Sequence, residues 1–157
     1  MSWVRTKIRE PLLGLLKQGL SPAGLAWSLA VGLALGTIPL FGTSTLLCVG
    51  VGLVFRLNQP ALQLANYLAY PLQLLLFIPL IRLGERLFRV EAMPLSPSLL
   101  MQSLEAHPWS TLTLFWSRLW HASVVWALLA LPAATLLALL LRPVFAALAR
   151  RLGRETA

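Results

Sequence analysis

Charged residues are scarce in this sequence, and aspartate is absent. Only 11% of the 157 residues are charged, against roughly a quarter in an ordinary soluble protein, while 58% are apolar. The mean hydropathy of +0.78 reflects the same balance. This composition excludes a soluble globular enzyme, a disordered tail and a secreted disulfide scaffold. We therefore expect an all-α integral membrane protein that forms a single membrane domain over residues 1–157.

The groups that build catalytic and metal sites are also missing. Cys48 is the single cysteine, so no intramolecular disulfide can form, and His107 and His121 have no cysteine or aspartate near them to complete a zinc site. The glutamates lie outside the long apolar runs, and no nucleophile-elbow or phosphate-loop spacing occurs. We expect no catalytic residue, no enzyme activity, no metal and no cofactor.

Basic residues dominate the charge, with thirteen lysines and arginines and a net charge of +8. Most of them border apolar runs, which is typical of cytoplasmic flanks of membrane spans and argues against a nucleic-acid partner. Residues 1–18 are predicted to be a basic N-terminal flank in the cytoplasm, and residues 143–157 a basic C-terminal tail. Because Lys17 interrupts the first apolar stretch, we expect no cleavable signal peptide. The bordering residues are Arg5, Lys7, Arg9, Lys17, Arg56, Arg82, Arg86, Arg89, Arg142, Arg150, Arg151 and Arg154.

The first uncharged run, residues 18–55, must fold back on itself. As one helix it would be roughly 57 Å long, nearly twice a hydrocarbon core of about 30 Å. Start and turn signals predict short helices near 22–38 and 44–57, joined by a proline- and glycine-containing turn. The residues that carry these signals are Ser21, Pro22, Pro39, Gly42, Thr43 and Ser44.

The second uncharged run, residues 57–81, repeats this punctuation. Asn58 can cap a helix that has Pro60 in its first turn, and Pro71 interrupts the run near its middle. The run is either one kinked span or a second short hairpin whose halves meet at Tyr70 and Pro71. Paired broken segments at membrane depth are one pointer to a transport site, and a proline kink without functional content is the other interpretation.

The rest of the chain contains one mixed stretch and one long apolar helix. Residues 90–109 are predicted to be an interfacial connector with a short helix that starts at Pro97 and ends before Pro108. Residues 110–142 form a long apolar helix, and residues 119–141 are its clearest membrane span. The residues expected in an interfacial belt at its start are Trp109, Phe115, Trp116, Arg118 and Trp120.

Small residues recur every four positions in the first predicted helix, at Gly24, Ser28, Gly32 and Gly36. In a membrane such a stripe lets two helix backbones approach closely. Closure of a hairpin within the chain and dimerisation are both consistent with this pattern.

Polar residues inside the apolar runs are the candidates for a binding site. Asn66 lies in the middle of a predicted helix, where an intramembrane polar group usually faces a partner or a wet cavity. Arg56, Arg82 and Arg86 fringe the broken segments and could neutralise a lipid phosphate or anchor the chain at the interface.

These motifs resemble those of an uncharacterised bacterial membrane family, domain of unknown function 2062. The resemblance covers residues 19–89, where this chain differs at Tyr70, the position of an asparagine in the family's asparagine-proline pair. Asn66, one turn earlier, is the candidate to replace it. The resemblance implies a bacterial inner-membrane protein whose relatives are sometimes joined to a glycosyltransferase domain. The matching residues are Gly19, Ser21, Pro22, Gly32, Gly36, Pro39, Gly42, Arg56, Asn58, Pro60 and Pro71.

The function that we expect is binding or translocation of an anionic lipid or lipid-linked precursor, such as a polyprenyl phosphate or a glycolipid, in a pocket formed by the broken helices. The alternative is a non-catalytic membrane scaffold that assembles through the small-residue stripe, as a homo-oligomer or with a glycosyltransferase or another cell-envelope partner.

Basic residues also predict the topology. With the N-terminus inside, we predict that residues 57–81 cross the membrane once, that residues 82–89 lie outside, and that the last helix returns the C-terminus to the cytoplasm. In the alternative, residues 57–81 form a hairpin, the 82–89 cluster stays inside and the C-terminus lies outside.

Overall fold

The computed structural model describes the backbone of residues 21–155 and the side chains of residues 21–150. This part of the chain is helical and contains no strand, which confirms the all-α class. The predicted basic flank, residues 1–18, lies outside the described residues. The helices are α1 (Pro22–Gly36), α2 (Ser44–Val54), α3 (Gln59–Leu68), α4 (Tyr70–Leu87), α5 (Pro97–Ala106) and α6 (Pro108–Glu155).

The first hairpin begins with the predicted cap. Ser21 Oγ accepts a hydrogen bond from the Gly24 N–H at 3.0 Å, and Pro22 is the first helical residue. The chain then reverses over residues 37–43, where Gly42 has the left-handed φ of 81° that the predicted turn needs. Both helices of the hairpin are slightly shorter than predicted.

The predicted side-chain cap at the start of α2 is wrong. Thr43 precedes the helix, but its backbone is already helical and its side chain makes no capping hydrogen bond. A capping side chain normally belongs to a residue with extended backbone. Here the Thr43 hydroxyl donates to the Leu40 carbonyl at 2.9 Å and closes the turn, and Ser44 is already the first helical residue.

A left-handed residue connects α2 to α3. Arg56 has a φ of 52°, and the Leu57 N–H donates to the Gly52 carbonyl at 2.9 Å, which is the Schellman arrangement of a helix end. Asn58 then caps α3 as predicted, since its Oδ1 accepts from the Ala61 N–H at 2.9 Å. A proline in the first turn of α3 completes the predicted start signal.

A single residue, Ala69, separates α3 from α4, and the two helices are bent by 59°. Pro71 lies in the first turn of α4, where a missing N–H costs little, so it begins a helix and does not interrupt one. A bend of 59° redirects the chain without reversing it. The geometry is therefore closer to one kinked segment than to a second hairpin.

The small-residue stripe of α1 faces α3. A Cβ added at Gly32 would collide with the Leu62 carbonyl, and one added at Gly36 would collide with the Ala69 side chain. These glycines therefore close a contact within the chain. Their partner is α3, and not the hairpin partner α2 that the hairpin interpretation required.

Contacts along the helices define their directions. Ser28 Oγ, in the middle of α1, accepts a hydrogen bond from the Asn58 N–H at the start of α3 at 2.8 Å, and the later Gly32 and Gly36 lie against the later Leu62 and Ala69. Helices α1 and α3 therefore run parallel. Leu25, near the start of α1, packs in one cluster with Phe145, whereas the Trp126 indole contacts the last turn of α1. Helix α1 therefore runs antiparallel to α6.

Helix α4 also packs antiparallel to α6. Ile81 packs in one cluster with Ala122 and Val125, and Gly84 lies against the backbone of His121. Ala61 and Ala65 of α3 share a cluster with Phe145, so α3 lies near the later part of α6 and α4 lies against the earlier part.

The long helix α6 extends beyond its predicted bounds of 110–142. It begins at Pro108 and continues through Arg142 and Pro143 to Glu155, so the described part of the predicted C-terminal tail is helical. The exposed Arg142 is accommodated on the helix surface, and the alanine-rich sequence after Pro143 favours continuation. Residues 108–150 are long and apolar enough to cross a membrane, and α3 and α4 pass the same test as a pair. The short helix predicted in the connector is confirmed as α5.

Candidate functional site

The turn of the first hairpin and the break between α3 and α4 meet at a cluster of polar side chains, which we call the break junction. It consists of Thr45 from α2, Gln63 and Asn66 from α3, and Gln73 from α4. Asn66 and Gln73 are only 4% and 3% exposed. Because α1 and α3 run parallel, the ends of both helices lie at the same level of the bundle. The turn that follows α1 therefore borders the break junction.

Hydrogen bonds tie the break junction together. Gln73 Nε2 donates to the Ile38 carbonyl at 2.7 Å, which attaches the start of α4 to the turn. Gln63 Nε2 donates to the Thr45 carbonyl at 3.3 Å. Asn66 Nδ2 makes two long contacts, to Thr45 Oγ1 at 3.4 Å and to Gln63 Oε1 at 3.3 Å. The turn of the first hairpin is thus held by a side chain of α4, and next to the second break α3 is joined to α2.

Asn66 also carries an unused acceptor. Its Oδ1 is buried and has no hydrogen-bond partner among the described residues. A buried polar atom without a partner costs roughly 1–3 kcal/mol, so a ligand that donates a hydrogen bond there would recover part of that cost. Asn66 is the predicted site residue that the structure places in the break junction.

Trp126 of α6 joins the same region from the other side. Its indole Nε1 donates to the Ala34 carbonyl at 3.2 Å and to Thr37 Oγ1 at 3.1 Å. The last carbonyls of a helix lack intrahelical donors, and the indole supplies one to α1. Trp126 was not among the predicted site residues. The signal was available, because a tryptophan buried deep in an apolar run needs a partner for its N–H.

The structure does not bring the four predicted binding residues together. Arg56 is exposed and lies before α3, at the end of the bundle where α1 begins. Arg82 and Arg86 lie near the end of α4, on the far side of the break. From the helical rise and the bend of 59°, Arg56 and Arg82 are roughly 30 Å apart, so one headgroup would not contact both.

A buried carboxylate, Glu85, organises the end of α4. Its side chain is 3% exposed and pairs with Arg82 at 2.8 Å, while its Oε1 accepts from the Met93 N–H at 2.7 Å. Arg118 lies 3.7 Å from the same oxygen through Nε and donates from Nη2 to the Glu91 carbonyl at 3.0 Å. We call these residues the Glu85 cluster. It fastens the connector to α4 and α6.

Arg118 was expected in an interfacial belt. Its side chain is almost fully buried against other residues of the chain, and its depth in the membrane stays a prediction. Glu85 was not among the predicted site residues, although it forms an ion pair and a hydrogen bond. The spacing of Arg82 and Glu85, three residues apart on a helix, indicates a local pair. Nothing in the local sequence indicates the contact with Arg118, which is 33 positions further along.

An apolar groove of about 570 Å³ runs between α1, α2 and α6, and we call it the lateral groove. Phe55 and Leu57, the two neighbours of Arg56, line it together with Trp27 and Val31 of α1 and Leu131 of α6. Trp126 forms part of its wall. A smaller groove of about 300 Å³ lies on the other side of Trp126, between α1, α4 and α6.

Large apolar side chains cover the outside of the described helices. Leu46 and Val54 of α2, Leu75 of α4 and Leu131 of α6 are each more than 70% exposed. Large contiguous apolar patches are rarely exposed on soluble monomers. Among the described residues no group of three or more metal-binding side chains occurs.

Fold and site together define a small all-helical protein with an apolar exterior, a membrane-length helix and polar groups at its chain breaks. A family model described as "Uncharacterized protein conserved in bacteria", domain of unknown function 2062, matches residues 5–152, and the chain belongs to this family. The match confirms the resemblance noted from residues 19–89 and extends it over most of the chain. No curated protein and no solved structure gives a significant match.

Proposed function

We propose that the protein is a multi-pass protein of the bacterial inner membrane that binds an anionic lipid or lipid-linked precursor and moves it along its broken helices. Two features support insertion. Helix α6 has the length and hydropathy of a span, with only 17% of its most apolar window buried in the chain. The exposed leucines, valines and phenylalanines of the other helices would face lipid instead of water.

The directions of the helices support a topology with the N-terminus and C-terminus in the cytoplasm. Arg56 and the end of α6 lie at the end of the bundle where α1 starts, whereas Arg82, Arg86 and Arg89 lie at the opposite end. In this arrangement α1 and α2 form a re-entrant hairpin, and α3 with α4 makes one bent crossing. Four basic residues in the flank 1–18 favour the cytoplasm for that end.

In the proposed topology, the break junction lies inside the hydrocarbon layer. Trp126, which contacts the hairpin turn, is about 10 Å along α6 from Leu119, the start of the clearest span. Irregular backbone at such depth is tolerated where protein covers it or where it lines a cavity. Paired broken helices of this kind form the substrate sites of many transporters.

The observation that carries the proposal is the unpaired Asn66 Oδ1 at the meeting point of two chain breaks. A hydroxyl of a sugar or a glycerol headgroup would donate to it during passage. The chemistry is binding and movement, with no bond made or broken, which agrees with the expected absence of catalytic residues.

Proteoliposomes with a fluorescent anionic lipid in one leaflet test this function. We expect the intact chain to accelerate transfer between leaflets and Asn66→Leu to lower the rate about tenfold, because it removes the acceptor and keeps a branched side chain of similar shape. Tyr67→Leu, at the exposed neighbouring position, is the matched control and should keep the rate. A wild-type rate equal to that of empty liposomes would defeat the proposal.

The second candidate function is a non-catalytic scaffold, favoured by the large unburied face of α6. Because Gly32 and Gly36 already pack on α3, a second copy or a glycosyltransferase or other cell-envelope partner would have to bind that face. Native mass spectrometry of the extracted protein separates the two functions. Retained lipid supports binding, whereas a stoichiometric protein partner or a bare oligomer supports the scaffold.

A further inference from the structure

The lateral groove has the dimensions and lining of a site for one lipid chain. It is apolar along α1, α2 and α6, and about 570 Å³ is enough for most of an acyl chain. Its exposed rim faces outward between helices, where the proposed membrane would supply the occupant. Phe55 and Leu57 both line the groove, so Arg56, the residue between them, lies next to its lining.

Arg56 occupies a backbone position that suits glycine better. Its φ of 52° lies in the left-handed region, which most helix ends assign to glycine or asparagine because a Cβ is disfavoured there. An arginine at this position loses some stability relative to glycine. In its place the exposed arginine supplies a positive charge next to the groove lining, which glycine could not supply.

A second exposed arginine lies towards the same end of the bundle as Arg56. Arg142 is exposed and lies eleven residues after Leu131, which is about three turns later and close to the same face of α6. That direction leads to the end of the bundle where Leu25 packs near Phe145 and where Arg56 also lies. An apolar groove with two exposed arginines beyond its lining, Arg56 next to Phe55 and Leu57 and Arg142 further along α6, matches an acyl chain that ends in an anionic headgroup.

We infer that the lateral groove binds one anionic glycerophospholipid, with an acyl chain between α1, α2 and α6 and the phosphate on Arg56. Guanidinium groups hold phosphates through charge-assisted, bidentate hydrogen bonds. The inference rests on the membrane insertion included in the proposed function, and it names the site at which the lipid enters from the side of the chain termini. It does not depend on movement through the break junction.

Native mass spectrometry of the full chain tests this site, with phosphatidylglycerol and phosphatidylcholine titrated in parallel. The test variant is Arg56→Gly, and its matched control is Arg89→Gly, which has the same φ of 52° and also follows a phenylalanine. We expect about a tenfold loss of phosphatidylglycerol affinity in Arg56→Gly alone, since one charge-assisted contact is removed. Thermal stability should stay the same or rise in both variants, which separates binding from folding.

Filling the groove gives an independent check. Val31→Trp should lower binding of both lipids, because it removes space for the chain and leaves Arg56 in place. Equal phosphatidylglycerol affinity in Arg56→Gly and Arg89→Gly would overturn the inference, as would a dimer that covers the groove. Protease protection in vesicles reports insertion separately, so a chain that inserts but lacks phosphatidylglycerol preference refutes this site without refuting the membrane proposal.

Discussion

The two broken segments of this protein start and end alike but follow different paths. Each starts with a side-chain cap followed by a proline, at Ser21 for α1 and at Asn58 for α3. Each ends with a phenylalanine and an arginine whose φ is 52°, at Arg56 after α2 and at Arg89 after α4. In both, the next N–H bonds back to the helix, to Gly52 in the first segment and to a residue of α4 in the second.

The difference lies in the break itself. The first segment has a turn over residues 37–43 with a left-handed glycine, and the chain reverses. The second has only Ala69, whose backbone stays helical, and the chain bends by 59°. The length and conformation of the break thus decide whether two short helices form a hairpin or one bent path. The start and end signals alone do not distinguish them.

Removing the contact that aligns the two segments should have the largest effect. The double substitution Gly32→Leu and Gly36→Leu would push α1 away from α3, because backbone and Ala69 leave no room for side chains. We expect no stably folded protein in detergent, as measured by thermal unfolding. Gly50→Leu is the matched control, since no atom lies near a Cβ at Gly50. Unchanged stability of the double variant would contradict the parallel packing of α1 and α3.

The second segment has an anchor at its end that the first lacks, the Glu85 cluster. Glu85→Gln would leave Arg118 buried without its carboxylate and weaken the contact to the connector. We expect a loss of about 3 kcal/mol in the free energy of unfolding, as for other buried ion pairs that lose one partner. Glu105→Gln, at an exposed position of α5, should change stability by less than about 0.5 kcal/mol. Equal effects of both changes would indicate that the cluster is not formed.

A smaller effect is expected where the first segment reverses. Gly42→Ala places a Cβ at a φ of 81°, which costs roughly 1–2 kcal/mol even though the space around it is open. Chemical unfolding in detergent should detect this loss. Gly50→Ala within α2 should be neutral or stabilising, because alanine favours helix over glycine. A neutral Gly42→Ala would show that the turn does not need the left-handed conformation.

Local signals made much of the architecture predictable. Ser21, Asn58 and Gly42 act within a few residues of their own positions, so the sequence indicates the caps and the turn directly. The predicted cap at Thr43 is wrong because the Thr43 backbone is already helical. Its hydroxyl therefore bonds within the turn. The predicted end of α6 at residue 142 is too early, because an exposed position on a helix can carry a charged residue such as Arg142 without ending the helix.

The candidate site was less predictable because it depends on contacts between distant residues. Asn66 stood out as a polar residue in an apolar run, but its neighbours come from α2 and α3. Trp126 reaches α1 across 89 positions through Thr37. Arg118 meets Glu85 only because α4 and α6 are antiparallel. The basic residues predicted that residues 82–89 lie on the side opposite the N-terminus but left the hairpin alternative open, because a count of charges does not fix the direction of α4. In the structure, Arg56 and Arg82 lie at opposite ends of the described bundle.

The central claim is that the first segment returns to its own side of the membrane while the second crosses. Labelling with a membrane-impermeant maleimide tests it, using Arg56→Cys and Arg89→Cys separately in a Cys48→Ala background. These positions have the same backbone conformation and follow equivalent helix ends, so their reactivities are comparable. We expect residue 89 to react from outside intact cells and residue 56 to react only in inside-out vesicles. Labelling of both residues from the same side would contradict it.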